Sequence, residues 1–324
     1  MLNQRADAAG PTLADIGEDE LLSTIFPLLP GGPGILIGPG DDTALLSAPG
    51  GSVLATTDAM VRGRDWLDEW SSGADVGAKI VAQNLADIAA MGGVSTGLLV
   101  TLIADPRTSL AWVRDFTEGL VQAASSAGVP VVGGDLSSAP AGVLVVSATA
   151  LGHCEGRQPV RRSGARAGDV LAVCGSLGHS ATGLLLMQRG ETGRASELVS
   201  YHRRPRPPYG QGPAAARAGA TAMLDISDGL GRDAGRLARA SGVRIELDEL
   251  RLADDVAQLH EVVTEDDAWR NVIEGGEEHS LLACFPSEAV LPDGWRRIGD
   301  VVVGAGVSLG GEPVIGGGWD HFGG

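Results

Sequence analysis

Short apolar runs alternate with amphipathic segments along this chain, and the alternation is what most limits the folds it can adopt. Apolar side chains recur at helical spacing in residues 74–93, whereas residues 97–104 form the continuous apolar run typical of a buried strand. The residues also predict strand, turn, strand over 35–46 and further helices, which are 17–30, 109–128, 179–189, 228–242 and an Ala-rich helix after residue 213. The alternation restarts after the polar, basic stretch 157–169. The pattern predicts a mixed α/β or α+β fold. It also predicts two domains of similar size, residues 1–152 and 153–324.

Charge and cysteine content argue against several classes of protein. The 324 residues carry a formal charge of −17, which disfavours binding to nucleic acid or to an anionic membrane. Lys79 is the only lysine and Ile80 follows it, so the chain has no Walker A phosphate loop. Three widely separated cysteines and a polar, acidic start predict a reducing, cytoplasmic location. The apolar runs are too short to form a transmembrane helix.

Carboxylates stand at several corners where a strand or helix meets a glycine turn. Loop ends of this kind commonly carry ligands in α/β folds. Mg²⁺ prefers oxygen ligands and often takes only one or two protein carboxylates together with phosphate oxygens. The set therefore favours a polyphosphate held through several Mg²⁺ ions. Its members are Asp41 and Asp42 in GPGDD, Asp58 after a strand, Asp87 on the predicted helix, Asp135 after a glycine pair, and Asp225 and Asp228 in DISD.

Each of these carboxylates also has a purely structural interpretation, and the residues alone leave the choice open. Asp41 and Asp42 would suit a tight turn, and Asp228 stands where a helix N-cap belongs. Asp87 would pair with a basic side chain. Asp225 is the hardest to explain structurally, because an unpaired carboxylate buried at the end of an apolar strand is costly.

Two further motifs are compatible with phosphate binding. Residues 174–178, CGSLG, follow a strand and resemble a phosphate-cradling turn, although a plain strand-to-helix turn is the favoured interpretation. Arg161 and Arg162 stand out in an acidic chain and suit either a solvated loop or a phosphate clamp. The serines and histidines show no spacing typical of a nucleophile or a zinc site.

A series of motifs spans the chain and resembles one enzyme family. In order, they are GEDELL, GPGDDTALL, TTDAM, QNLADIAAMGG, VVGGD, RRSGARAGD, LDISDGL, GGEE and WDHF. Together they resemble the thiamine-monophosphate kinases, relatives of aminoimidazole ribonucleotide synthetase and selenophosphate synthetase. The resemblance implies ATP-dependent phosphorylation of thiamine monophosphate to thiamine diphosphate with Mg²⁺. It also implies a homodimer whose N-terminal domains contribute strands to a shared β-barrel, with a C-terminal α/β domain in each chain.

The resemblance implies site residues motif by motif. The implied metal ligands are Asp42, Thr56, Thr57, Asp58, Asp87, Asp135, Asp225 and Asp228. The implied nucleotide-binding residues are Gly134, Asp135, Arg162 and Ser227. The implied substrate residues are Asp65, Glu277 and Trp319, of which the last two suit a cationic thiazolium ring. No general base is expected, because the attacking phosphate oxygen is already ionised at neutral pH.

The chain departs from the family pattern at two places, both at the implied substrate end. Residues 64–66, Arg-Asp-Trp, stand where the family usually carries Phe-His or a similar pair. Residues 278–280, Glu-His-Ser, replace the Asp, aromatic and Glu positions of a GGED-aromatic-Glu motif. Two other functions remain open: a related ATP-dependent enzyme acting on another small phosphoacceptor, and a non-catalytic ATP-binding homologue.

Overall fold

The computed structural model describes residues 12, 15, 24–29, 31–32, 34–37, 45–48 and 50–314. The chain separates into two compact units that interleave in sequence. The N-terminal unit comprises Met1–Ser47, Thr57–Val81 and Thr96–Leu151, and the C-terminal unit comprises Ala48–Thr56, Ala82–Ser95 and Gly152–Gly324. Both units contain helices and strands, so the predicted mixed α/β class is confirmed. The domain boundary after residue 152 stays a prediction.

A four-stranded sheet forms the main part of the N-terminal unit. Its strands lie in the order β3 (Leu54–Val61), β6 (Leu144–His153), β4 (Val94–Ala104) and β5 (Val131–Ser138), with β4 parallel to β5. The strands predicted from the apolar runs are thereby confirmed. Side chains along β6 alternate strictly between buried and half-buried, so one face of the sheet is covered and the other is more open.

Two helices of the N-terminal region, α1 (Gly73–Ala90) and α2 (Leu110–Ser126), confirm the helices predicted at 74–93 and 109–128. Their backbones approach so closely that glycine is required at the contact. A Cβ atom on Gly77 would lie 2.3 Å from the carbonyl oxygen of Phe116, and one on Gly119 would lie 2.1 Å from that of Ala74.

The start of the chain is only partly described. β1 (Ile35–Ile37) and β2 (Leu45–Leu46) pair antiparallel, as the predicted strand–turn–strand requires. Residues 38–44, with Asp41 and Asp42, lie outside the described residues, so the predicted turn stays a prediction. Within the helix predicted over 17–30, the described part contains a short 3-10 helix at Phe26–Leu28.

A seven-stranded sheet forms the centre of the C-terminal unit. Its order is β13 (Glu312–Pro313), β12 (Gly306–Leu309), β9 (Arg244–Leu247), β11 (Trp295–Val302), β7 (Val170–Cys174), β10 (Leu281–Phe285) and β8 (Ala222–Asp225). Neighbouring strands are antiparallel except for β12 and β9, which makes this unit α+β in type. β7 and β10 are buried along their whole length and mark the core.

Six helices accompany this sheet in the described part of the chain. They are α3 (His179–Gln188), α4 (Ser196–Arg203), α5 (Gln211–Arg217), α6 (Leu230–Ser241), α7 (Glu249–His260) and α8 (Glu265–Glu274). The sequence patterns used above did not predict α4, α7 and α8. Asp248 and Thr264 accept N–H groups at the starts of α7 and α8, and Leu252, Val256 and Leu259 stand at helical spacing on α7, so signals for the last two helices were present in the sequence. Across the described ranges, no helix has the length and apolar character that crossing a membrane requires.

Candidate active site

Three loops of the C-terminal unit meet at one edge of the seven-stranded sheet. The antiparallel register sets Leu281, the first residue of β10, opposite Cys174 at the end of β7 and opposite Asp225 at the end of β8. The loop 226–229 and the segment 275–280 therefore lie side by side, next to the turn that follows β7. The DISD motif comprises Asp225, at the end of β8, and the first three residues of the loop 226–229, and the GGEE motif lies in the segment 275–280.

Backbone hydrogen bonds join the two motifs into one structural unit. The N–H of Glu277 donates to the carbonyl oxygen of Ser227 at 2.7 Å. The N–H of His279 donates to the carbonyl oxygen of Ile226 at 2.8 Å. The N–H of Ile226 donates in turn to the carbonyl oxygen of Ser280, also at 2.8 Å. The predicted substrate residue Glu277 is thus held directly against the predicted metal-binding loop.

Asp225 is buried but has a partner. Its residue exposure is 5%, and its Oδ2 atom lies 3.0 Å from Nδ1 of the equally buried His279. The contact offsets the cost of burying this carboxylate, which made Asp225 the hardest of the set to explain from sequence. His279 stands at the position where the family motif has an aromatic residue, so this contact arises from a departure in the sequence.

Asp228 does not cap the helix that follows it. Gly229, with φ 113°, is the N-cap residue of α6, and no side-chain capping bond is made there. The carboxylate of Asp228 instead lies 2.5 Å from the guanidinium of Arg236. The alternative interpretation of Asp228 as an N-cap is therefore wrong.

Asp233, which no sequence motif indicated, holds the DISD loop in place. Its buried carboxylate accepts the N–H groups of Ser227 at 3.1 Å and Asp228 at 2.9 Å, and Arg236 contacts it at 2.6 Å. Burial raises the pKa of Asp233 to about 6, although the backbone hydrogen bond and Arg236 act in the opposite direction. The available signal was an acidic residue in the first turn of the helix that follows DISDG.

Glu278 occupies the N-terminus of α3. Its side chain is wholly buried, and its carboxylate accepts the Ser176 hydroxyl at 2.9 Å and the Ser180 N–H at 2.9 Å. Burial raises the pKa of Glu278 to about 7. A protein carboxylate thus takes the place that a phosphate would occupy at this helix end. The strand-to-helix turn predicted for residues 174–178 is confirmed, since β7 ends at Cys174 and α3 begins at His179.

Two residues in the segment 275–280 adopt a left-handed backbone conformation. Glu277 has φ 59° and His279 has φ 55°. For residues other than glycine this costs roughly 1–3 kcal/mol each, and it persists where surrounding contacts enforce it, often at functional sites. The Glu277 side chain is 33% exposed, and its Oε2 atom lies 3.4 Å from Nδ1 of His202. A strained backbone therefore presents a partly accessible carboxylate.

β3 places the predicted ligands Thr56, Thr57 and Asp58 on alternating faces. The Thr56 hydroxyl donates to Oδ2 of Asp87 at 2.6 Å. The Thr57 hydroxyl donates to the carbonyl oxygen of Ala148 at 2.9 Å. Because strand side chains alternate, Thr57 faces away from Thr56 and Asp58. The structure brings Thr56 and Asp87 together and turns Thr57 to the other side.

Gly134 and Asp135 lie on β5. Asp135 is exposed, pairs in register with Thr101 of β4, and accepts the hydroxyl of Ser137 at 3.2 Å. A Cβ atom on Gly134 would lie 1.9 Å from the carbonyl oxygen of Val100. The strand pairing that carries Asp135 therefore requires glycine at position 134.

The remaining predicted residues are placed as follows. Arg162 lies on an exposed loop of the C-terminal unit. The Asp65 carboxylate accepts the N–H of Val61 at 2.7 Å and so closes a turn. Asp42 and Trp319 lie outside the described residues.

Comparison with known proteins identifies the family. Residues 40–154 match the AIR synthase related protein, N-terminal domain, and residues 166–292 match the AIR synthase related protein, C-terminal domain. The thiamine-monophosphate kinase of Mycobacterium tuberculosis is 44% identical over 317 residues, which are 97% of this chain and 94% of that relative. The chain belongs to the thiamine-monophosphate kinase family.

Solved structures of thiamine-monophosphate kinases have the same fold. That from Stenotrophomonas maltophilia K279a is 29% identical, with a TM-score of 0.77 and coverage of 91% of this chain and 96% of its own. AaThiL complexed with AMPPCP and TMP is 31% identical, with a TM-score of 0.78 and coverage of 87% of this chain and 91% of its own.

The residues predicted to bind metal are aspartates and threonines, so their side chains offer only oxygen donors. In the part of the chain that the structure describes, no group of three or more His, Cys, Asp or Glu side chains is arranged to hold a metal ion. Mg²⁺ needs only one or two carboxylates when phosphate oxygens supply other ligands. Oxygen donors of this kind fit Mg²⁺, which also takes ligands from nucleotide phosphates.

Proposed function

We propose that this protein transfers the γ-phosphoryl group of ATP to thiamine monophosphate and so forms thiamine diphosphate. The whole-length identity to the Mycobacterium tuberculosis enzyme carries this proposal. The related AaThiL, solved complexed with AMPPCP and TMP, supports ATP and thiamine monophosphate as the two substrates. The DISD and GGEE motifs fall on loops at the end of β8 and before β10, where ligands commonly bind.

The reaction depends on alignment of two phosphates and on neutralisation of their charge. The attacking phosphate oxygen is already ionised, so the chain's residues need not remove a proton before in-line transfer. In the C-terminal unit, Asp225 and Asp228 would hold the metal, and Asp233 fixes their loop in advance through two backbone N–H groups. Mg²⁺, when bound, supplies neutralisation of the charge on the transferred phosphoryl group.

The proposed ligands include the other residues implied by the family motifs. The other proposed metal ligands are Asp42, Thr56, Thr57, Asp58, Asp87 and Asp135. The proposed nucleotide contacts are Gly134, Asp135, Arg162 and Ser227, and the proposed acceptor contacts are Asp65, Glu277 and Trp319. The hydrogen bond between Thr56 and Asp87 supports a joint role for these two. The partial exposure of Glu277 supports contact with a cationic acceptor.

We also propose that the protein is a cytoplasmic homodimer in which the four-stranded sheets of two chains form a shared barrel. The sheet carries exposed apolar side chains, among them Val61 on β3 and Leu99 on β4. Apolar side chains on an open sheet face favour a protein partner. Three buried free thiols, Cys154, Cys174 and Cys284, suit a reducing compartment.

Incubation of the full chain with ATP, Mg²⁺ and thiamine monophosphate tests the activity. Thiamine diphosphate and ADP should appear in equal amounts when the products are separated by chromatography. ADP release that requires a different phosphoacceptor would establish the related enzyme instead. Binding of ATP without ADP release in the presence of any acceptor would establish a non-catalytic homologue.

A further inference from the structure

The segment Glu277–His279 is more tightly constrained than a connection between α8 and β10 requires. Left-handed residues stand on both sides of Glu278, and neither is glycine. Backbone hydrogen bonds from Glu277 and His279 to residues 226 and 227 hold one side of the segment. Such a conformation needs further anchoring contacts, because an unanchored chain would relax to a right-handed or extended backbone.

Glu278 supplies the anchor on the other side. Its carboxylate reaches the first turn of α3, where it accepts the Ser180 N–H and the Ser176 hydroxyl, each at 2.9 Å. The Tyr201 hydroxyl donates to the carbonyl oxygen of Glu278 at 3.2 Å. The side chain is completely buried, so it has no direct route to a ligand in solvent.

The same helix start also connects to Glu277. The Ser180 hydroxyl, on the residue whose N–H binds Glu278, lies 3.0 Å from Nδ1 of His202. That ring nitrogen lies 3.4 Å from the Glu277 carboxylate. The partly exposed Glu277 carboxylate and the buried Glu278 carboxylate are therefore fixed by one group of side chains around the N-terminus of α3.

We propose that Glu278 is a positioning residue, which fixes the Glu277 carboxylate for contact with the cationic ring of the acceptor. The inference rests on the proposed function, in which Glu277 contacts thiamine monophosphate. The buried Glu278 side chain bonds to Ser176 and Ser180, neither of which is a proposed nucleotide or acceptor contact. Loss of the anchor should therefore weaken recognition of the acceptor and leave recognition of ATP unchanged.

Steady-state kinetics of Glu277→Gln, Glu278→Gln and the double variant test this role. Glutamine at 278 keeps the size of the side chain but removes its charge, and its NH₂ group meets the Ser176 hydroxyl as a donor instead of an acceptor. The charge-assisted contacts with Ser176 and Ser180 are therefore weakened. KM for thiamine monophosphate should rise about tenfold in Glu278→Gln, with KM for ATP within about twofold of wild type. The double variant should equal Glu277→Gln, because Glu278 acts through Glu277.

Two further variants keep the test decisive. Glu274→Gln changes an exposed glutamate at the end of α8 and should leave both KM values unchanged. If Glu278→Gln fails to fold, Ser176→Ala removes a single anchoring hydroxyl and should produce a smaller rise in the same KM.

Several results would overturn the inference. They are an unchanged KM for thiamine monophosphate in folded Glu278→Gln, an equal rise in KM for ATP, or effects of the two substitutions that multiply in the double variant. An unchanged KM in Glu277→Gln would also overturn it, since Glu278 would have nothing to position. In each of these cases the proposed function still stands, provided that the wild-type protein forms thiamine diphosphate. If the wild-type protein forms none, both the proposed function and the inference are refuted.

Discussion

Replacement of Glu278 by glutamine should remove a pH dependence from the stability of the native protein. Glu278 is wholly buried at the N-terminus of α3, and burial raises its pKa from an ordinary value of 4.5 to about 7. Hydrogen bonds from Ser180 and Ser176 lower the pKa but do not cancel the effect of burial. Between these two pKa values the folded protein holds a proton that the unfolded chain has already released.

The sign and the size of the effect follow from proton linkage. Below about pH 4.5 the carboxyl group is protonated in both states, and its stabilising contribution is fully present. As the pH rises, the free energy of unfolding falls by up to about 1.4 kcal/mol per pH unit. Over the roughly 2.5 units between the two pKa values the loss approaches about 3 kcal/mol, and above about pH 7 no more is lost.

Urea unfolding of wild type and Glu278→Gln, followed by tryptophan fluorescence at several pH values, measures this contribution. Other titrating groups contribute equally to both proteins, so they cancel in the difference between them. From about pH 4.5 to about pH 7.5 the difference in unfolding free energy should change by about 3 kcal/mol in favour of the variant. Glu274→Gln, with an exposed carboxylate, should run parallel to wild type. Parallel curves for wild type and Glu278→Gln would refute the assignment of a raised pKa to this carboxyl group.

Three further predictions concern the proposed reaction and the assembly. Asp225→Asn should abolish formation of thiamine diphosphate while leaving the circular dichroism spectrum unchanged, and near-wild-type turnover at saturating Mg²⁺ would contradict a ligand role. Gly134→Ala should lower the free energy of unfolding by about 3 kcal/mol or prevent folding, because its Cβ atom would lie 1.9 Å from the Val100 carbonyl oxygen; a melting temperature equal to wild type would contradict this. Sedimentation velocity should give the mass of two chains, and a single-chain mass at micromolar concentration would contradict the dimer.

Secondary structure was largely determined by local pattern. Val76, Ile80, Leu85 and Ile88 recur at helical spacing, and all four are buried on α1, because periodicity reports directly which side of a helix faces the core. The missed helices α7 and α8 carry the same kind of signal: Leu252, Val256 and Leu259 are buried at helical spacing on α7, and Ala268 and Val272 on α8. Capping residues at both helix starts are a second signal. The motifs likewise indicated the family, since a motif is a property of a short stretch of chain. The prediction that the carboxylates stand at corners is right for Asp225 and Asp228 and wrong for Asp58, Asp87 and Asp135, which lie within β3, α1 and β5.

The partners of those carboxylates were decided only by the tertiary structure. Asp225 meets His279 across 54 positions of sequence, and Glu278 meets Ser180 across 98. These contacts exist because β10 lies between β7 and β8 in an antiparallel register, which brings the ends of three strands to one edge of the sheet. Burial, hydrogen-bond partners and the resulting pKa depend on that arrangement, and no periodic pattern in the chain records it. From the sequence alone, Glu278 was one more acidic residue in a motif; the sheet topology makes it a buried carboxylate anchored at the start of a helix.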